Sequence, residues 1–189
     1  MKIKLLALSG VLMTSLLSGC ALAPQVISLD KTPNITVSAI TTGRTALIRV
    51  TDTREDGRLG YRGGWSNENS PLIAEPDLAG ILTPRLHETF SQLGFGGASE
   101  QPPVKFELKV DKFKYQCNEG LWVSHCELEI KFITELGNGF SKAFVLNQNR
   151  SVVAAPRAKY NEEWINGALD ELWGHMFNNE ELLQAISQN

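Results

Sequence analysis

Cysteine and histidine are scarce in this chain of 189 residues, three of each, and the scarcity removes several classes of protein. A structural zinc site needs closely spaced Cys/His pairs, and two such pairs do not occur. HExxH, GxSxG and GxxxxGKS/T patterns are also absent. His87, His125 and His175 fall on separate expected elements, with no serine, cysteine or paired carboxylate beside them in a recognisable catalytic arrangement. The chain therefore reads as a non-enzyme, with no metal and no cofactor. Charge of one sign is lacking too: 18 Lys and Arg are interspersed with 21 Asp and Glu, which gives no electrostatic reason to bind nucleic acid. The apolar run Leu5 to Leu17 is thirteen residues long, too short to span a bilayer comfortably.

That run has an informative context. Lys2 and Lys4 precede it, and Leu17, Ser18, Gly19 and Cys20 follow it, the pattern of a bacterial lipobox at the end of a signal peptide. Residues 1–19 are expected to be cleaved, leaving Cys20 as a lipidated N-terminus. Each buried methylene of its acyl chains contributes roughly 0.8 kcal/mol, so anchoring would be effectively permanent. Ala21, rather than an aspartate, follows the cysteine, which favours the outer membrane, facing the periplasm. The mature 170 residues suit one compact domain, and their formal charge of −5 after loss of Lys2 and Lys4 is mild.

With Cys20 spent on lipid, Cys117 and Cys126 remain as an even pair in an oxidising compartment. A disulfide is the expectation, with two free thiols as the alternative. Residues 20–33 carry two prolines and little periodicity and are expected to form the lipidated N-terminus and a tether, leaving 34–189 as a single periplasmic domain. Within it, Ile35, Val37 and Ala39 alternate with polar residues, and Ala46 to Val50 is β-rich, which predicts two strands. Residues 53–76 hold too many glycines and prolines for anything but a long loop. Leu78, Ile81, Leu82, Leu86, Phe90 and Leu93 predict a helix from about Asp77 to Leu93, kinked at Pro84 and stopped by Gly94. Three strands follow: Phe106 to Cys117 with a bulge near Lys112, Cys126 to Phe132, and Phe140 to Val153 after the turn at Gly137, Asn138 and Gly139. A helix is expected over Asn161–Phe177 and a short turn over Glu180–Ile186. The fold class is α+β, a mainly antiparallel sheet of about five strands with two helices packed on one face.

Two segments are candidates for binding. The stretch from Asp52 to Trp65 concentrates arginines, glycines and aromatics. Arg54, Arg58 and Arg62 could clamp a carboxylate or phosphate, and Tyr61 and Trp65 could stack on a sugar or a side chain. The bland alternative is a loop folded over the sheet edge, with its glycines serving turns and Asp52 pairing with an arginine. The second candidate is the hairpin tip around Trp122, which the cystine would preorder for a partner.

The lipobox at Cys20, Val50 and Asp52 with Arg54, the Leu59–Gly64 stretch, Asp77 and Leu78 opening a helix that ends at Leu93, Gly94 and Phe95, and the β-rich segment before a terminal helix together resemble the YajG family of small bacterial lipoproteins. The Cys117 and Cys126 pair departs from that pattern. The resemblance implies an envelope lipoprotein with no catalytic residues to carry over. The expected function is a noncatalytic envelope accessory or scaffold, held to the membrane through lipid on Cys20, that binds another envelope protein or peptidoglycan. The alternative is a module for a small anionic or saccharide ligand bound by the loop 52–65.

Overall fold

The computed structural model describes residues 23–41, 43–63, 70–119, 122–153 and 156–189. The elements run β1 (Gln25–Ile27), β2 (Ala46–Asp52), β3 (Gly60–Tyr61), β4 (Pro71–Ala74), α1 (Leu78–Gln92), β5 (Val104–Glu119), β6 (Val123–Leu136), β7 (Ser141–Val153), α2 (Ala158–Phe177) and α3 (Glu180–Ser187).

Long alternating runs build the centre. Phe106, Leu108 and Val110 point inward from β5, and the register shift between Val110 and Lys112 lets Phe113, Tyr115 and Cys117 continue on the same face. Without that bulge the second half of the strand would turn its apolar side to solvent. Cys126, Leu128, Ile130 and Phe132 of β6, with Phe144 and Leu146 of β7, complete the inner face. Phe90 of α1 meets Phe106 at 5.0 Å between ring centroids, and Trp173 of α2 meets Phe132 at 6.4 Å. Both long helices thus pack on one face of the sheet. The opposite face is polar and laced with cross-strand ion pairs, Lys109 to Glu135 and Lys112 to Glu129 among them.

Among the described residues the sheet has seven strands and three helices accompany it, against about five and two expected, and it is mixed, its long pairings antiparallel but not all of them. β2 lies parallel to the first half of β5, and β3 lies parallel to the second half, along the same edge. Parallel neighbours require a crossover, and α1 supplies it between β2 and β5. The expected long loop 53–76 contains β3 and β4, and part of the expected tether forms β1, parallel to β4. Ile27, Leu29 and Pro33 are buried, so the chain is folded against the domain from Gln25 onward.

Residues 35–39 do not pair as a strand. They belong to an extended strap running along α2, where the backbone N–H groups of Ser28, Asp30 and Asn34 donate to the side chains of Glu162, Asn166 and Asp170. These acceptors recur every four residues, one per turn of helix. A period of two reports extended backbone, and here that backbone continues a segment held by helix side chains rather than by a neighbouring strand.

Helix α1 begins and ends as expected. The Asp77 side chain caps it by accepting from the Gly80 N–H at 2.8 Å, Pro84 lies inside, and Gly94 follows at a φ of +94°. Cys117 and Cys126 face each other across β5 and β6 as a buried disulfide. Replacing both with alanine is expected to cost about 2 to 3 kcal/mol, from the loop-closure entropy of a nine-residue separation. Urea unfolding would show this as a lower midpoint, whereas a shift worth under about 1 kcal/mol would mean that the hairpin is held by its core alone.

Candidate functional site

The arginine-rich segment leaves β2, turns, and returns as β3 against the second half of β5. Its geometry follows from two local carboxylates. Arg54 places Nε 2.9 Å from one oxygen of Asp52 and a terminal nitrogen 2.7 Å from the other, and donates as well to the carbonyls of Arg58 and Gly57. Its side chain is almost wholly buried. Arg54 is therefore the internal brace of the turn, as a bidentate guanidinium–carboxylate pair suits. Arg58 repeats the pattern on Asp56, at 2.8 Å, and lies 5.0 Å from the centre of the Tyr61 ring. The Arg58 hydrogen bonds hold the Asp56 carboxyl below the usual carboxylate range.

Arg54, Asp56, Arg58 and Tyr61, with Lys114 and Gln116 of β5, line an open groove of about 450 Å³ on the polar face. A smaller depression beside it, about 150 Å³, is bordered by Lys114, Glu127, Glu129, Asn147 and Asn149. Of the six residues expected to bind, three share the groove. Arg62 does not, because alternation along β3 turns it to the inner side, where it donates to the carbonyls of Ala23 at 2.9 Å and Pro156 at 3.3 Å. Trp122 stands at the hairpin tip with 83% of its surface exposed, away from the groove. Trp65 and Cys20 lie outside the described residues.

A buried polar cluster lies under the same end of the sheet, and it was not foreseen. Tyr115 donates from its hydroxyl to Asn161 Oδ1 at 2.8 Å, Arg150 donates to the same oxygen at 2.7 Å, and Asn161 Nδ2 donates to Gln25. The Arg150 guanidinium stacks 4.1 Å from the Trp164 ring centre, and Trp164 donates to Gln148. Burial pushes the Tyr115 hydroxyl above its ordinary pKa, against the opposing pull of Arg150. The signal was present in β7, where Gln148 and Arg150 continue the inward phase of Phe144 and Leu146. Polar residues on a buried phase must find partners. Arg85 is a second case, sitting inside the apolar stripe of α1 and fully buried.

The only histidine contact of chemical interest among the described residues is His125 Nδ1 with Ser151 Oγ, 2.9 Å apart on neighbouring strands. Both side chains are exposed, and no described carboxylate orients the imidazole, as base catalysis of a serine would need. No group of three or more His, Cys, Asp or Glu could hold a metal among the described residues, and no described helix is long and apolar enough to cross a membrane.

Fold and surface together define a small mixed α/β domain, helices on one face and a broad polar sheet on the other. The chain belongs to the family described as "Uncharacterized lipoprotein", which matches residues 32–187, in keeping with the resemblance to YajG-like lipoproteins. No curated protein was found to match in sequence. A crystal structure of a Xanthomonas campestris protein of family DUF330 shares the fold, with a TM-score of 0.54, 10% identity, and coverage of 88% of this chain and 100% of that one. More distant are a minor lipoprotein of Acinetobacter baumannii (TM-score 0.32, 12% identity, 75% of this chain and 90% of that one) and the rare lipoprotein B of Shewanella oneidensis (TM-score 0.32, 12% identity, 75% and 93%).

Proposed function

We propose that this lipoprotein is anchored through acylated Cys20 to the periplasmic face of the outer membrane and serves there as a noncatalytic accessory protein that binds an envelope protein or cell-wall partner through the polar face of its sheet. The observation that carries this reading is the state of the arginine groove. Arg54 and Arg58 are already matched by Asp52 and Asp56, so an anion entering the groove would have to displace a carboxylate from each. The groove is also open, whereas small-molecule sites bury most of their ligand. A wide face with exposed Leu47 and Val145 among charged side chains suits a macromolecular surface better.

Photoreactive residues in place of Tyr61, Leu47 and Val145, activated in intact cells, test the proposal. A discrete protein or peptidoglycan adduct that depends on these positions is the expected result. Recovery of small glycans or anionic metabolites alone would overturn it in favour of a ligand module, a reading supported by the Arg58–Tyr61 stack beside Lys114.

A further inference from the structure

We infer that the hairpin tip at Trp122 and Val123, with Val153 beside it, is a membrane-docking surface that seats the domain end-on against the bilayer holding Cys20. The inference rests on the acylation of Cys20 proposed above and adds an orientation and a contact to it.

Sheet register supplies the first step. Gln25, Leu72, Gly60, Tyr115, Leu128 and Gln148 are successive cross-strand partners and form one row across the sheet. From this row β1 runs backward, through Ala23 toward Cys20, in the direction in which β5 rises to the tip and β7 rises to Val153. Val123 and Val153 each lie five residues beyond the row, and Ala23 precedes its Gln25 by two. At 3.3 to 3.6 Å per residue, the strands carry Val123 and Val153 roughly 17 Å past it. Only Ala21 and Leu22 separate Ala23 from the anchor at Cys20, three residue steps with a reach of about 11 Å at most.

The polar cluster fixes this arrangement laterally. Arg62 holds the carbonyls of Ala23 and Pro156 at once, and Gln25 donates to Pro156 as well. The segment leading to the anchor is thereby tied to the connection that follows Val153. A lipidated Cys20 cannot lie in the bilayer without bringing this end of the domain to its surface.

The chemistry of the end matches that location. Trp122 is 83% exposed and Val153 85%, an apolar display that water disfavours and an interface accepts. Tryptophan and tyrosine concentrate at the headgroup level because one edge is apolar and the other donates a hydrogen bond. Tyr160, also exposed, lies in the first turn of α2, close in sequence to exposed Arg157 and Lys159, and its carbonyl accepts from Arg150 of the cluster. Exposed cations beside apolar contacts strengthen attachment to anionic lipid. The Cys117–Cys126 disulfide braces the hairpin just behind the tip.

The test uses the full acylated chain in vesicles of phosphatidylethanolamine and phosphatidylglycerol, with and without bromine on the lipid acyl chains, and reads quenching of tryptophan emission. The chain has four tryptophans, so the contribution of Trp122 is isolated by comparing the wild type with Trp122→Ala, a change at an exposed position that leaves the core intact. Quenching at least twofold greater in the wild type, reduced also by Val153→Asp, is the expected result. Equal quenching in wild type and Trp122→Ala, with both proteins acylated by mass and floating with the vesicles, would overturn the docking surface while leaving the anchor standing; a tip reserved for a protein partner would give that result. A chain lacking the acyl mass and failing to float would overturn both readings.

Discussion

Replacing Arg85 with alanine is expected to destabilise the protein by about 3 kcal/mol, at the lower end of the range for breaking a buried ion pair. The side chain is fully buried in α1 and joins three parts of the fold. One terminal nitrogen donates to Asp170 of α2 at 2.6 Å, the other donates to the Asp30 carbonyl of the strap at 3.0 Å, and the guanidinium lies 5.0 Å from the Trp173 ring centre. Burial draws the Arg85 pKa below its ordinary value, and Asp170 opposes that shift. Truncation removes the cation and leaves both acceptors facing a cavity. The lower end applies because the Asp170 side chain retains 21% of its exposure and keeps the Asn34 N–H as a partner. Urea midpoints give the measurement. Arg85→Met with Asp170→Asn should recover part of the loss, since it fills the volume and removes the stranded charge. A change under about 1 kcal/mol for Arg85→Ala would show that the pair contributes little beyond its own desolvation cost.

Gly60→Ala is expected to be at least as damaging, about 4 kcal/mol or more. Gly60 adopts a φ of +145°, and a methyl group there would stand 1.8 Å from the Tyr115 carbonyl oxygen. No rotamer relieves a clash between Cβ and backbone, so β3 would have to leave β5. That movement breaks the hydrogen bond from the Tyr115 N–H to the Leu59 carbonyl and uncovers Leu59, Leu72 and Ile27, all fully buried. The strands β1, β4 and β3 reach the rest of the sheet only through this contact. Limited proteolysis should accordingly cut the variant within 53–76 long before the β5–β7 meander. Gly139→Ala is the control, for it shares a positive φ of +89° but has nothing within 4 Å of the added carbon; its cost should be near 1 kcal/mol. Equal stability of the two variants would refute the argument from close approach.

Legibility in the sequence followed the range of the interactions. Alternation along Phe106 to Cys117 and Cys126 to Phe132 gave the inner phase of the long strands, the bulge, and the facing of the two cysteines. The capping aspartate and the stop glycine bounded α1, and the lipobox marked the expected anchor. Each of these is written in residues that touch near neighbours along the chain, or that repeat often enough to declare a face. The groove was half legible. Asp52 stands two residues from Arg54, and their pairing was one of the readings the spacing allowed. That Arg58 and Tyr61 remain at the surface while Arg62 turns inward depends on a two-residue strand too short to show a period.

Tertiary structure alone decided the rest. β1, β3 and β4 span two to four residues each and exist because β5 and one another offer backbone partners, a fact about residues distant along the chain. The alternation of 35–39 lies in a strap rather than a strand because the segment leading into it is held by acceptors on successive turns of α2. In the proposed orientation the place of Trp122 follows from register, which pairs Val123 with Val153 at the end of the sheet toward which the chain before Gln25 also leads. By itself the sequence determined which faces are apolar and where an anchor is expected, since both are local properties of side chains. Which strand meets which, and therefore which side chains share an end of the domain, depended on backbone hydrogen bonds between segments whose pairing no local pattern encodes.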